Sequence, residues 1–367
     1  MNEIMQELMR EATRLTQSGN LREATQVIQR ALGNAGRAPI PPASNSTVSP
    51  PIILDGCVFE VGSAQVEEPE VARPQTPSSS ANGRDHNPEG EFVDGSHTHA
   101  SLTRRYKLYT PPGTFDTRLP LVVMLHGCTQ SPDDFAAGTG MNDLAKAQGF
   151  YVLYPEQSAN ANPQRCWNWF KHNHQSRGRG EAALLASMTL AVIQQHGIDS
   201  RRVYIAGLSA GGAMAAIVAA AYPEIFAAVG VHSGLAVGAA GNVAEALAAM
   251  KSGAADIKLA SSSSAVPTIV FHGDQDRTVH PRNGQQVIAA FVAGSDRSVE
   301  QGKSNQGQAF TRTRHLKEDV NFAELWVLHG GGHAWSGGSA KGSYTDPSGP
   351  DASSEMLRFF SEHVKPV

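Results

Sequence analysis

The chain has 367 residues, 40% of them hydrophobic, and a formal net charge of −4; that is enough for one large domain of about 250 residues plus a smaller part. No apolar run approaches the roughly 20 residues that cross a bilayer, so an integral membrane protein is not expected. Acidic and basic residues are interspersed without a basic stripe, which gives a nucleic-acid partner no electrostatic support.

Residues 1–35 read as a helical hairpin. Ile4, Met5, Leu8, Ala12 and Leu15 share one face, Leu21, Ala24, Val27, Ile28, Ala31 and Leu32 another, and Gly19-Asn20 makes the turn. A hairpin this small cannot bury both stripes alone, so docking on the main domain or on a second copy is expected. The opening Met1-Asn2-Glu3-Ile4-Met5-Gln6-Glu7 lacks the basic start and apolar core of a secretory signal. Residues 36–100 are rich in proline and serine and read as a linker. Within it His97-Thr98-His99 lacks the partner spacing of a metal site and is expected in a solvated loop, so no metal is expected there.

From 101 to 367 strand and helix patterns alternate. Strands are predicted at 105–110, 119–125, 150–154, 202–206, 227–231, 266–271 and 322–328. Helices are predicted at 134–148, 181–196, 210–222, 243–251, 283–292 and 352–363. Apolar runs without strict alternation suit strands covered on both faces, hence an α/β fold with a mostly parallel sheet between helix layers. The working groups of such a sheet lie on loops at the carboxyl ends of its strands.

One stretch organises this domain. In Gly207-Leu208-Ser209-Ala210-Gly211 an apolar run breaks around a serine and resumes as a small-residue helix. That pattern suits a strand–turn–helix elbow with Ser209, the candidate nucleophile, at its apex. A serine hydroxyl needs a base, and the base needs an anion to fix its tautomer. His333, in the glycine-rich loop after the last predicted strand, is the candidate base, ahead of His329 at the strand end. After the strand at 266–271 the turn holds Asp274 and Asp276. Asp276 is taken as the acid and Asp274 as a residue that holds the turn. Backbone amides of Cys128, or alternatively Thr129, and of Ala210 are the candidate oxyanion donors. His126 reads as a structural histidine beneath that loop.

The motifs His126-Gly127-Cys128-Thr129-Gln130, Cys166-Trp167-Asn168-Trp169-Phe170, Gly207-Leu208-Ser209-Ala210-Gly211-Gly212, His232-Ser233-Gly234 and Gly332-His333-Ala334-Trp335 together resemble the polyhydroxybutyrate (PHB) depolymerase family of esterases. The resemblance covers about residues 106–363 and implies an α/β-hydrolase three-layer sandwich with a Ser209, Asp276, His333 triad. It also implies an ester or polyester substrate, no cofactor, and an extracellular location, with a cytoplasmic one as the alternative. Feruloyl and acetylxylan esterases are similar, and a non-catalytic protein that binds a partner or granule surface is the reading from another class. Polymer-degrading members commonly carry a secretion signal and a binding module, and neither is visible in this sequence.

Trp167, Trp169 and Trp335 are candidates to wall the acyl pocket, and core packing is the competing reading for the aromatic loop. Cys57, Cys128 and Cys166 allow one bridge with a thiol left over, or three reduced thiols. Because Cys166 opens the aromatic loop and Cys128 lies on the neighbouring one, a Cys128–Cys166 disulfide tying the two is the hypothesis.

Overall fold

The computed structural model describes residues 89–366 apart from 114, 116 and 256–265. The expected hairpin, most of the linker and Cys57 lie outside the described residues.

A ten-stranded sheet in the order β1-β2-β4-β3-β5-β6-β7-β10-β9-β8 forms the frame. Its strands are β1 (Glu91–His99), β2 (Leu102–Thr110), β3 (Leu121–Leu125), β4 (Tyr151–Pro155), β5 (Val203–Leu208), β6 (Ala228–His232), β7 (Thr268–Gly273), β8 (Asp296–Lys303), β9 (Ala309–Lys317) and β10 (Val320–Leu328). The run from β4 through β3, β5, β6 and β7 to β10 is parallel. Antiparallel strands β2 and β1 close one edge, and β9 and β8 the other. Every residue of β3, β5, β6 and β7 is buried, because helices cover both faces and neither side of these strands has to meet water.

Helices α1 (Pro132–Thr139), α2 (Met141–Gln148), α3 (Gly180–His196), α4 (Ala210–Ala221), α5 (Val243–Ser252), α6 (Arg282–Val292) and α7 (Ala352–Ser361) divide between the faces. Leu185, Met188, Met214, Ile217, Ala246 and Ile288, from α3 to α6, share one core with Val123, Ile205, Val231 and Val270. Phe135, Met141, Met356 and Phe359, from α1, α2 and α7, share the other with Val122, Met124, Ala206 and Phe271. Local signals set the helix ends. Ser131 caps α1 by accepting from the Asp134 amide, with Pro132 in the first turn. Asn242 and Asp351 cap α5 and α7 in the same way.

Two differences from the sequence expectation stand out. The segment expected as one helix over 134–148 is two, because Gly140 adopts a left-handed conformation (φ 62°) that ends α1 and opens α2. Residues 91–99, expected within the linker, form β1, paired along its whole length with β2. His97 accordingly sits on a strand, its Nε2 2.9 Å from Ser187 Oγ on α3, and not in a solvated loop.

Candidate active site

Ser209 lies between β5 and α4 at φ 56°, ψ −118°, a backbone strain that the surrounding contacts must hold. Its amide donates to the His232 carbonyl (2.9 Å) and its carbonyl accepts from Ala213 (2.9 Å), so strand, turn and helix are fixed together. The flanking glycines let backbones touch: a Cβ on Gly207 would lie 2.4 Å from the Gly211 carbonyl carbon, and one on Gly211 would lie 2.0 Å from the Leu125 oxygen.

Two loops from the same sheet edge carry the acid and base candidates. β7 and β10 are adjacent, parallel and in register up to Gly273 and Leu328, so the turn after one and the loop after the other emerge side by side. The two aspartates and two histidines weighed in the sequence sort into two pairs. His333 Nδ1 is 2.7 Å from Asp276 Oδ2, and His329 Nδ1 is 2.9 Å from Asp274 Oδ2. Asp276 is buried, and its other oxygen accepts from the Thr278 (2.9 Å) and Val279 (2.8 Å) amides. Burial alone would push its pKa up; hydrogen bonds from His272 and His333, the charge of His333 and the Val279 amide together hold it well below the usual carboxylate range.

On the loop after β3, the Gly127 amide donates to Gln130 Oε1 (2.9 Å) and the Thr129 amide to the Gln164 carbonyl (2.7 Å). Thr129 N–H is therefore committed and drops out as the alternative oxyanion donor, and Cys128 N–H has no such partner among the described residues. Ala210 N–H opens α4, where the first-turn amides have no intrahelical acceptor. Cys128 is joined to Cys166 by a disulfide, which ties this loop to the aromatic one.

Trp167, Trp169 and Trp335, weighed above as acyl-pocket walls against core packing, are buried, with exposures of 0%, 5% and 1%. Trp335 stacks on His232 (5.1 Å), meets Phe135 edge-on (5.5 Å) and donates to Ser353 Oγ (3.0 Å). Trp167 lies against the His126 ring (5.7 Å). Aromatic rings of this size bury a large apolar area, and these three bury theirs in the cores on the two faces of the sheet.

Sequence reasoning missed the polar groups that hold these loops. Buried Glu181, at the start of α3, accepts from Asn168 N (2.7 Å), Asn168 Nδ2 (2.8 Å), Gln157 Nε2 (2.6 Å) and Arg104 Nη2 (3.3 Å). Gln157 Nε2 also reaches the Cys166 carbonyl (3.1 Å), and the Gln157 amide donates to His126 Nε2 (3.1 Å). Gln130 Nε2 reaches Asp134 Oδ2 (2.8 Å). The one sequence signal was Glu181 itself, an acid opening an otherwise apolar helix.

His126 and His232 are buried with both ring nitrogens engaged. Burial, the dominant cause for both, pushes His126 down to about 4 against a partly opposing bond to Gly127, and His232 down to about 3 with help from the His272 and His333 charges. The folded-state pKa values thus lie below the unfolded value of about 6.5, so the unfolded chain takes up these protons first. Stability should be complete above pH 6.5 and fall as pH drops toward 4, each histidine approaching about 1.4 kcal/mol per pH unit. Urea unfolding at pH 7, 6 and 5 checks this; a midpoint unchanged between pH 7 and 5 would contradict it.

Among the described residues no helix is long and apolar enough to cross a membrane, and no group of three or more His, Cys, Asp or Glu side chains is placed to hold a metal ion.

The chain is similar to known esterases in sequence and in fold. Over 192 residues the chain is 35% identical to poly(3-hydroxyalkanoate) depolymerase C of Paucimonas lemoignei, covering 49% of this chain and 46% of that one. Over 130 residues it is 36% identical to feruloyl esterase B of Thermothelomyces thermophilus, covering 35% and 44%. The chain thus spans about half the length of these curated relatives. Among solved structures, an acetyl xylan esterase from Aspergillus awamori superposes with a TM-score of 0.58 at 20% identity, covering 74% of this chain and 99% of that one, and shares the fold. The model of the esterase PHB depolymerase family matches residues 104–308, and the chain belongs to that family.

Proposed function

We propose that this protein is a serine esterase that hydrolyses hydroxyalkanoate esters, hydroxybutyrate oligomers among them, or related short-acyl esters through an acyl-enzyme. The observation that carries the reading is the short bond between His333 and buried Asp276, made by loops on the sheet edge where Ser209 sits in its strained turn. Asp276 fixes the proton on His333 Nδ1, which leaves Nε2 as the base. Nε2 takes the hydroxyl proton as Ser209 Oγ attacks the ester carbonyl, and Asp276 stabilises the imidazolium that forms. The Cys128 and Ala210 amides take the oxyanion. Collapse expels the alcohol, protonated by His333. Water activated by the same imidazole then hydrolyses the acyl-enzyme and frees Ser209.

Support for the substrate class comes from the family and from the similarity to a poly(3-hydroxyalkanoate) depolymerase. The similarity to a feruloyl esterase and to acetylxylan esterases supports a second reading, in which the same acyl-enzyme chemistry acts on an ester of a different acid and alcohol. A panel of hydroxybutyrate oligomers, methyl ferulate and acetylated xylan separates the two. A fluorophosphonate should label the protein once, and peptide mapping should find the adduct on Ser209. Labelling elsewhere, or none, would remove the serine mechanism and favour a non-catalytic binding role.

A further inference from the structure

Beside the proposed triad the same two loops build a second acid–histidine pair. Asp274 Oδ2 accepts from His329 Nδ1 (2.9 Å), and Asp274 Oδ1 accepts from the Gly330 amide (2.8 Å). His329 Nε2 lies 2.9 Å from Thr311 Oγ1 on β9, and the His329 amide donates to the Ala309 carbonyl (2.9 Å). Around this pair the backbones are laced together: Asp274 N–H donates to Leu328 O, and Gln275 N–H to Gly331 O, both at 3.0 Å. A Cβ on Gly273 would lie 2.2 Å from the Gly331 oxygen, so the loops touch backbone to backbone.

The outer pair stands in a fixed relation to the inner one. Asp274 precedes Asp276 by two positions, and His329 precedes His333 by four, with Gly330, Gly331 and Gly332 between the histidines. Three consecutive glycines leave the His333 loop wide conformational freedom. Its root is held by the backbone bonds just described and by the Asp274 carboxylate, which binds both His329 and Gly330.

We propose that Asp274 and His329, steadied by Thr311, are positioning residues that set the register between Asp276 and His333 and so govern kcat of ester hydrolysis. The proposal rests on the triad reading above. A purely stabilising role fits the pair poorly, because the side chains are 33% and 43% exposed and polar contacts so open to water contribute little to global stability. Misplacement of a base by a fraction of an ångström does cost rate.

The test uses the full chain and a short p-nitrophenyl ester. Asp274→Ala and His329→Ala should each lower kcat about tenfold, with KM within about twofold and the thermal midpoint nearly unchanged. The double variant should be no slower than either single one, since both remove the same clasp. His329→Asn, whose amide can donate in place of Nδ1, should recover most of the rate. Wild-type kcat in Asp274→Ala, a change carried by KM, or a fall matched by lost folded protein would each overturn the positioning role. Ser209→Ala run alongside reports on the triad itself: if it is dead while Asp274→Ala turns over normally, only the positioning proposal fails, and if it turns over normally, the triad reading fails with it.

Discussion

Ser209→Ala and His333→Ala are each expected to lower kcat for a short p-nitrophenyl ester by about 10⁶, and Asp276→Asn by about 10⁴, the scale such triads show in other serine hydrolases. The asymmetry has a physical origin. Without Ser209 no acyl-enzyme forms, and without His333 nothing takes its proton. An asparagine side chain in place of Asp276 would keep the volume and could still accept from the Thr278 and Val279 amides, as Asp276 Oδ1 does now. It would, however, be able to turn an N–H toward His333 Nδ1, where the carboxylate Oδ2 now accepts at 2.7 Å. The imidazole proton would then move to Nε2, and the lone pair needed by Ser209 would be lost. Melting temperatures should change little for Ser209→Ala, so that steady-state kinetics at 25 °C read chemistry and not folding. Turnover within tenfold of wild type in either Ser209→Ala or His333→Ala would displace the mechanism.

How much of this was legible depends on what each segment must hide. The seven strands predicted from apolar runs all appear, because β3, β5, β6 and β7 are covered on both faces and must read as continuous hydrophobic stretches. β1, β8 and β9 escaped notice at the sheet edges. In β8, Asp-Arg-Ser-Val-Glu-Gln-Gly-Lys is exposed at every position but Gly302, so it carries no apolar pattern to find, only its pairing with β9. In β1 half-buried positions are mixed with exposed polar ones, and its composition merges with the polar segment before it. The contact between His333 and Asp276 was legible because each follows its own strand, and those strands are neighbours. The polar network on Glu181 was not, because Arg104, Gln157, Asn168 and Glu181 meet only after the chain has folded. The tryptophans show the limit most plainly: residue type told that Trp167 and Trp335 would bury apolar area, and only packing told against what.

Gly211→Ala should be the most damaging single-methyl change in the elbow. The added Cβ would lie 2.0 Å from the Leu125 oxygen and 2.6 Å from the His126 oxygen. Both are backbone atoms at the end of β3, so no side chain can rotate away. Relief requires α4 to lift from the sheet or the β3 end to move, and His126-Gly127-Cys128 follows directly from that end. The clash therefore reaches stability and chemistry together. Stability should fall by about 3 kcal/mol or more, the upper range for overpacking. The surviving folded protein should lose about a hundredfold in kcat as the Cys128 amide leaves the oxyanion position, the scale for losing one such donor. Gly332→Ala is the control for the methyl group itself, since its Cβ would meet nothing within 4 Å, and its urea midpoint should equal or slightly exceed that of wild type. Measured together, urea midpoints and kcat per folded molecule separate the two consequences. If Gly211→Ala folded normally but was slow, the elbow would act on the oxyanion loop alone. If it lost stability while each folded molecule kept wild-type kcat, the contact between α4 and β3 would hold the fold without setting the Cys128 amide.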